Sequence, residues 1–472
     1  MIFTDAIFPV FLLIVLFVYW VLLRGEWRNR WLLLSSMVFY GWWDIRFLAL
    51  IGAVILVSWL AALAIRERSG HRPAQLRVLW AAIIFQLALL GAFKYFGFFR
   101  ESAEEALTML GWSQTWPVVN IILPVGISFY IFQAISYSVD VFRKHLPAEP
   151  SLARVALYIA FFPQLVAGPI VRAASFFPQI ERRKKLSSAL IASGARAFII
   201  GFIYKAAIAD NIASFVEPVF ADIDQWNNAS LVAATFGFGT QIYFDFAGYS
   251  LMAIGVARWF GFYIPKNFND PYASTSIDTF WRRWHMSLSF WLRDYLYIPL
   301  GGNRLGRIKT YRNQMITMVL GGLWHGAAWN FVIWGAMHGV ALAIHRMIMG
   351  DRRRVRLVPA LGGLFGLVLT LLVVFATWVP FRAETLSDTL DVWSAGIGLR
   401  DGGAESLPVV AFFVPVLILI DSLLSQVDRL KSLPRRAFAR SPVFYWAGLG
   451  SLVALGLALY PLNPAPFVYF QF

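Results

Sequence analysis

Long stretches without a charged side chain constrain this chain more than any other feature. A helix needs about 20 apolar residues to cross the roughly 30 Å hydrocarbon core of a membrane. Only helices and closed barrels satisfy all of their backbone hydrogen bonds at that depth. Asp, Glu, Lys and Arg are absent from residues 7–23, 47–65, 78–93, 106–139, 155–171, 229–244, 313–345, 357–381 and 441–472. The sequence therefore predicts an all-α polytopic membrane protein with roughly 10–12 spanning and re-entrant helices.

The composition excludes several other classes of protein. Of the 472 residues, 59% are hydrophobic, 14% are charged and none is cysteine. Soluble domains carry about 25% charged residues, so an ordinary soluble enzyme and a disordered chain are both excluded. The lack of cysteine excludes a disulfide scaffold and a cysteine-ligated metal site. Because no phosphate-binding glycine loop or zinc spacing occurs either, we predict no metal site, no bound cofactor and no nucleic-acid partner.

The charged loops predict how the chain is oriented. Residues 24–30 and 282–312 are basic, whereas 210–224 and 384–405 are mostly acidic. Because basic loops stay in the cytoplasm, both termini are predicted to lie outside. Residues 7–23 lack the flanks of a signal peptide, so we expect a retained first span. We expect one integral-membrane domain over 1–472, with cytoplasmic-side interfacial helices at 261–312, a re-entrant hairpin at 313–345 and an extracytoplasmic tail at 463–472.

Two of the uncharged stretches contain residues that break helices, and each lies between two basic loops. The breaking residues are Pro163, Gly168 and Pro169 in 155–171, and Gly321, Gly322 and Gly326 in 313–345. The second stretch is too short for two full spans, so we expect a short, bent hairpin. Non-helical backbone at membrane depth persists only where protein buries it or a cavity wets it. This hairpin is therefore the best candidate for a functional cavity.

Histidine supplies the most reactive candidate in that hairpin. His325 has glycines on both sides and lies at the predicted break. A polar residue in a span marks function by default, and a neutral imidazole is the natural general base for a hydroxyl group. The alternative is a histidine bonded to a nearby carbonyl for packing. On the catalytic interpretation, His325 should lie in a wet cleft that is open to both faces of the membrane.

The other histidines have simpler interpretations. His71 and His145 lie in polar loops, where an exposed histidine is common, and His345 ends a span at the interface. His338 is interpreted as structural. His285 remains a candidate, because it lies in the aromatic and arginine-rich stretch that follows residue 261.

Three arginines near His285 allow two interpretations. Arg282 and Arg283 precede it directly, and Arg293 follows. They either anchor a cytoplasmic loop by the positive-inside rule, or form the mouth for a multiply phosphorylated cytosolic ligand. Basic residues alone do not decide between these.

Several polar residues lie in apolar surroundings, and Asp245 is the most notable. Unless it is paired, a carboxylate at membrane depth is costly, so we interpret Asp245 as part of a structural pair with an arginine or a hydroxyl. The other polar residues of this kind are Gln133, Asp140, Gln164 and Gln241.

Over nearly its whole length the sequence resembles the membrane-bound O-acyltransferase family, and most of all the branch that acetylates alginate. The segments that carry the resemblance are 36–43, 124–129, 162–170, 243–250, 280–287, 292–302 and 323–326. The resemblance implies a helical bundle around a transmembrane tunnel, with His325 as the catalytic histidine. It implies that His285 is the second polar position, which is Asn, Asp or His in different branches, and that it steadies the carbonyl oxygen.

The same resemblance implies the reaction. An acetyl group would pass from a cytosolic thioester, with acetyl-coenzyme A as the expected donor, to hydroxyl groups of an extracytoplasmic polysaccharide such as alginate. We expect the bacterial inner membrane as the location and a periplasmic acetyltransferase as a partner. Arg282, Arg283 and Arg293 are the candidates for binding the donor.

The tail resembles a C-terminal signature of bacterial branches that export acyl groups. We hypothesise that Tyr469 accepts the acyl group as a relay, and the alternative is an interfacial aromatic anchor. Two rival functions remain. One is the same fold transferring another acyl group, such as D-alanine, from an acyl carrier protein, and the other is a polysaccharide transporter without enzymatic activity.

Overall fold

The computed structural model describes residues 1–112, 116–117, 121–349, 361–424, 442–461 and 464–470. Within these ranges the regular structure is helical and no strand forms, although an isolated β-bridge joins Trp226 to Glu405. Five helical stretches are long and apolar enough to cross a membrane: Phe47–Glu67, Arg72–Met109, Ser188–Ala221, Trp329–Met349 and Gly363–Arg382. Shorter apolar helices are Phe8–Leu22, Ile127–Phe142, Val409–Ile420 and Val443–Ala458. The all-α polytopic class is confirmed, while the tunnel and the number of crossings stay predictions.

The chain divides into two compact units. The first comprises residues 1–198 and 252–265, and the second comprises 199–251 and 266–472. The helices that lie wholly in the first unit are α1 (Phe8–Phe17), α2 (Glu26–Gly41), α3 (Phe47–Glu67), α4 (Arg72–Leu90), α5 (Phe96–Met109), α6 (Ile127–Phe142), α7 (Leu152–Ala160), α8 (Phe162–Leu165) and α9 (Ala173–Glu181). The break predicted within 155–171 is present, because α7 ends at Ala160 and the four-residue α8 follows.

The second unit holds every candidate site residue named from the sequence. Its helices are the end of α10 (Ser188–Phe202), α11 (Asp210–Ala221), most of α12 (Asn228–Trp259), α13 (Ile277–Trp281), α14 (Met286–Leu292), α15 (Arg307–His325), α16 (Trp329–Met349), α17 (Leu361–Arg382), α18 (Leu386–Gly396), α19 (Val414–Leu424) and α20 (Pro442–Ala458). A π-helical turn at Ile203–Ala209 joins α10 to α11, and a 3₁₀ turn at Val468–Phe470 follows α20. Three tryptophans, Trp284, Trp334 and Trp378, are fully buried in its core.

The predicted hairpin is present but longer than expected. Its arms, α15 and α16, contain 19 and 21 residues, because each continues through basic residues beyond the uncharged stretch. At 1.5 Å per residue, each arm is about 30 Å long. Glycine lets the arms approach closely, since a Cβ atom at Gly322 would overlap the Phe331 carbonyl and one at Gly335 would overlap the Met318 carbonyl. Whether the hairpin is re-entrant stays a prediction.

Candidate acyl-transfer site

His325 is the last residue of α15, at the break between the two hairpin arms. Gly326 continues in an extended conformation, and a Cβ atom there would overlap the Phe331 ring. The glycine therefore lets the chain leave α15 tightly against α16. This local geometry explains why a histidine at this place is followed by glycine.

Aromatic rings surround the His325 imidazole. The ring centroids of Trp324 and Trp334 lie 5.0 Å from it, and that of Phe381 lies 5.3 Å away. The residue is only 3% exposed. The expectation of a wet cleft around His325 is therefore wrong for this conformation, because bulky side chains fill the space that water would occupy. A molecule from outside reaches the imidazole only after some of these groups move.

His285 has an unusual backbone conformation. Its φ of 38° and ψ of 54° lie in the left-handed region, which Asn, Asp and His enter more readily than other residues with a side chain. Asn267 holds the turn, because its carbonyl accepts the Met286 N–H at 2.8 Å and its side chain bonds both Ser250 and Ser287. His285 is fully buried. Buried hydrogen bonds to the two residues that follow His285 thus fix the loop.

The C-terminal tail brings Tyr469 to the two histidines. The Tyr469 ring centroid lies 5.6 Å from that of His325 and 6.4 Å from that of His285, and the two imidazoles are 6.2 Å apart. Phe246 packs against both Tyr469, at 4.5 Å, and His285, at 4.7 Å. Three residues nominated separately from the sequence therefore form one cluster.

Burial sets the protonation of this cluster. Desolvation lowers the pKa of His285 to about 3, so its imidazole stays neutral at physiological pH. Desolvation also raises the pKa of the Tyr469 hydroxyl above its usual range, with a smaller contribution from Asp245. The hydroxyl oxygen is buried and has no hydrogen-bond partner among the described residues. Tyr469 is therefore a neutral phenol that needs a base before it can act as a nucleophile.

The three arginines proposed for donor binding have different surroundings. Arg282 pairs with Asp278 at 3.0 Å and Arg293 pairs with Asp294 at 2.6 Å, and both guanidinium groups are largely exposed. Arg283 is half-buried and donates to the carbonyls of Asp270 and Ala273, which lie before α13. Their binding of a donor stays a prediction.

His338 has the surroundings of a structural residue. The Trp281 indole N–H donates to its Nδ1 at 3.3 Å, and its Nε2 lies 3.0 Å from the Thr377 hydroxyl. Because Nδ1 accepts a hydrogen bond, Nε2 carries the ring hydrogen and donates a hydrogen bond to the Thr377 hydroxyl. These bonds fit the structural interpretation made from the sequence.

Asp245 is indeed paired, but with a residue that sequence reasoning missed. Lys205 Nζ lies 2.9 Å from Asp245 Oδ1 and 2.7 Å from Asp210 Oδ1. The sequence suggested an arginine or a hydroxyl for Asp245, and it placed Asp210 in an acidic loop. The available signal was a single lysine in an otherwise apolar run, since an isolated charge of this kind requires a partner.

Comparison with known proteins identifies the same family that the sequence resembles. The model of the membrane-bound O-acyltransferase family matches residues 125–380. The probable alginate O-acetylase AlgI of Azotobacter vinelandii is 42% identical over 402 residues, which cover 85% of this chain and 79% of that one. The AlgI protein of Pseudomonas aeruginosa is also 42% identical, over 82% of this chain and 73% of its own length.

Two more distant relatives carry other names. The peptidoglycan O-acetyltransferase of Helicobacter pylori is 35% identical over 78% of this chain and 74% of its own length. The teichoic acid D-alanyltransferase of Bacillus subtilis is 30% identical over 52% of this chain and 64% of its own length. The residues that match the family model, 125–380, include His285 and His325 and end before the tail.

Proposed function

The chain belongs to the membrane-bound O-acyltransferase family, and from this premise we propose that it transfers acetyl groups from a cytosolic thioester to hydroxyl groups of an extracytoplasmic polysaccharide. That the protein is a multi-pass membrane O-acyltransferase follows from the family. The acetyl group, the donor, the acceptor and the direction of transfer belong to the proposal. The observation that carries it is the buried cluster of His325, His285 and Tyr469.

In the simplest form of the reaction His325 is the general base. It removes the proton from the attacking hydroxyl, whose oxygen bonds to the thioester carbonyl carbon. The carbon–sulfur bond then breaks, and the proton passes from His325 to the leaving sulfur, which departs as a thiol. His285 is neutral and donates an N–H bond to the carbonyl oxygen while negative charge develops there.

Tyr469 allows the transfer to occur in two steps. Its hydroxyl attacks the thioester first, with His325 taking the phenol proton and returning it to the sulfur, which leaves an acetyl ester on Tyr469. The acceptor hydroxyl then attacks that ester and the tyrosine recovers its proton. The raised pKa of the phenol makes the adjacent base necessary, and the buried, unpartnered hydroxyl supports the relay.

The relatives favour an acetyl group and a polysaccharide acceptor. Three of those named above are acetyl-transferring proteins by name and align with at least 78% of this chain. The D-alanyltransferase aligns with about half of it. We therefore propose acetyl-coenzyme A as donor, an alginate-like polysaccharide as acceptor, the bacterial inner membrane as location and a periplasmic acetyltransferase as partner.

Ester-linked acetate on surface glycans tests this proposal. Cells that lack the chain receive the intact protein, the His325→Ala variant or the His338→Gln variant, and mass spectrometry measures glycan acetate at equal protein levels. His325→Ala should lower acetate at least about 100-fold, the usual contribution of a general base. His338→Gln is the matched buried-histidine control, and it should retain most of the acetate.

Two further results decide between the rivals. Membrane vesicles receive either radiolabelled acetyl-coenzyme A or a D-alanyl carrier protein, and label in the polymer identifies the donor. Full acetylation by His325→Ala would contradict an enzymatic role for this histidine and would favour the transporter. If the polymer became labelled only from the carrier protein, the transferred group would be D-alanine rather than acetate.

A further inference from the structure

A buried ion cluster lies beside the proposed site and takes no part in the steps above. It consists of Lys205, Asp210 and Asp245, whose side chains are at most 4% exposed. An ammonium group has three protons to donate. Lys205 Nζ forms ion pairs with Asp210 and Asp245, and it donates a hydrogen bond to the Ala465 carbonyl of the tail at 3.1 Å. The tail thus supplies the third acceptor of a buried lysine.

Asp245 makes a second bond to the same tail. Its Oδ2 accepts the Val468 backbone N–H at 2.7 Å, immediately before Tyr469 in the chain. The Asn211 side chain also donates to the Leu459 carbonyl at 2.8 Å, just after α20. The segment that leads to Tyr469 is therefore held at three backbone points by residues 205–245 of the same unit.

Two features of the helices make this cluster possible. Residues five apart on an α-helix face about 140° away from each other. The π-helical turn at Ile203–Ala209 removes that offset, so Lys205 and Asp210 meet. Gly248 lets α12 pack closely against the segment around the π-helical turn. A Cβ atom there would lie 2.9 Å from the Lys205 backbone nitrogen and 2.7 Å from the Gly201 carbonyl oxygen. The close approach lets Asp245, one turn earlier, reach the lysine.

The helix that carries Asp245 also contacts the histidine side of the site. Phe246, the next residue, packs against both Tyr469 and His285. One turn of α12 therefore touches the tail through Asp245 and the proposed reaction centre through Phe246. A shift of the tail relative to this turn changes the distance between Tyr469 and His325.

We propose that Lys205 and Asp245 are positioning residues, which seat the C-terminal segment so that Tyr469 lies against His325. This inference rests on the proposed role of Tyr469, and it adds what holds the tyrosine in place. In the described part of the tail, the cluster bonds to two backbone groups, the Ala465 carbonyl and the Val468 N–H. Loss of either contact should loosen the tail while leaving the histidines where they are.

Accessibility of position 469 tests the seating without any measurement of activity. The chain has no cysteine, so Tyr469→Cys creates a single thiol in the purified full-length protein. N-ethylmaleimide should modify it slowly in the otherwise intact protein. Adding Val468→Pro removes the N–H that Asp245 accepts without altering a charge, and labelling should become at least about tenfold faster, since a hydrogen bond to a carboxylate is lost. Val468→Ala is the matched control, because it shortens the same side chain and keeps the N–H.

The cluster side is tested in the same background. Asp245→Ala should accelerate labelling, and Asp245→Asn should restore part of the protection because its amide oxygen still accepts. Glu217→Gln alters a carboxylate that pairs with Arg382 at 2.8 Å, and it should leave labelling unchanged. Equal labelling rates in Val468→Pro and Val468→Ala, both folded by their melting curves, would overturn the proposal.

Kinetics then separate positioning from stability. With Tyr469 present, Val468→Pro should lower kcat at least about tenfold with little change in KM for acetyl-coenzyme A. A purely structural cluster would lower the melting temperature and leave kcat per folded molecule unchanged. If Tyr469→Phe kept full turnover, the relay would be wrong, and the labelling comparison would still decide whether the cluster seats the tail.

Discussion

At the scale of single residues, the candidate site contains polar side chains whose burial costs free energy. His285 is a polar group in a left-handed conformation with no exposed surface. Such a conformation costs about 1–3 kcal/mol and persists only where the surroundings enforce it. Asn267 supplies that enforcement through its bonds to Met286, Ser250 and Ser287. The strain thus coincides with the proposed oxyanion donor.

His285 predicts a pH dependence of stability. Its pKa falls from 6.5 to about 3 on burial, so the unfolded chain binds the proton first as pH decreases. The stability that His285 contributes in its neutral form is therefore fully present above pH 6.5, and it is lost as pH falls towards 3. His285→Asn should remove up to about 1.4 kcal/mol of this loss per pH unit. Thermal unfolding at about pH 7 and about pH 5 measures the difference.

The control for this prediction is His285→Ala. It also removes the titrating group but tolerates the left-handed conformation less well. Its stability should be lower than that of His285→Asn at both pH values, with the same reduced pH dependence. An unchanged dependence in both variants would show that His285 is not the group responsible.

At the scale of elements, the α15–α16 hairpin places His325 through glycine contacts. Gly322 and Gly335 lie where each arm meets backbone of the other, so the spacing of the arms is set by the absence of side chains. His325 lies three residues after Gly322. Any separation of the arms is therefore transmitted directly to the imidazole.

Gly322→Ala should disturb both stability and turnover. The added methyl group meets the Phe331 carbonyl, and overpacking of this kind costs about 1–3 kcal/mol. Gly363→Ala is the matched control, because no atom of the described residues lies within 4 Å of a Cβ atom there, and alanine should stabilise α17 by up to about 1 kcal/mol. Melting temperature and acetyl transfer per folded molecule measure the contrast. Equal behaviour of the two variants would contradict the packing argument.

At the scale of the whole molecule, the chain's last residues complete a site built from its middle. The tail contacts Phe246, His285 and His325 through the Tyr469 ring. It starts from a point beside the π-helical turn, where the Asn211 side chain donates to the Leu459 carbonyl. His325 is nearly fully buried, so in this conformation the proposed catalytic imidazole has almost no exposed surface. Movement of the tail is one route by which the site could open, and the labelling experiment above measures it.

The orientation predicted from loop charges has a direct test. Residues 282–312 are predicted in the cytoplasm and 384–405 outside. Single cysteines at the exposed positions Asn303 and Asp401 can be treated with a membrane-impermeant maleimide in intact spheroplasts. Asp401→Cys should react and Asn303→Cys should react only after the membrane is permeabilised. The reverse pattern would contradict the proposed direction of transfer.

Much of this architecture could be predicted from local sequence alone. Uncharged runs indicate membrane helices because the cost of a buried charge applies to each segment separately. The glycines around His325 and the prolines of 155–171 likewise act on their own neighbours, so both breaks were predictable. The lengths of α15 and α16 were underestimated, because helices continue through flanking arginines that an uncharged window excludes.

Short-range chemistry made the membrane class, the helical breaks and the candidate reactive side chains predictable from the chain. The packing of the fold was needed to show that Tyr469 lies against His325, that Lys205 rather than an arginine pairs with Asp245, and that the cluster is buried. Contacts between residues far apart in the chain leave no periodic pattern in it, because they arise from how helices pack and where the chain returns.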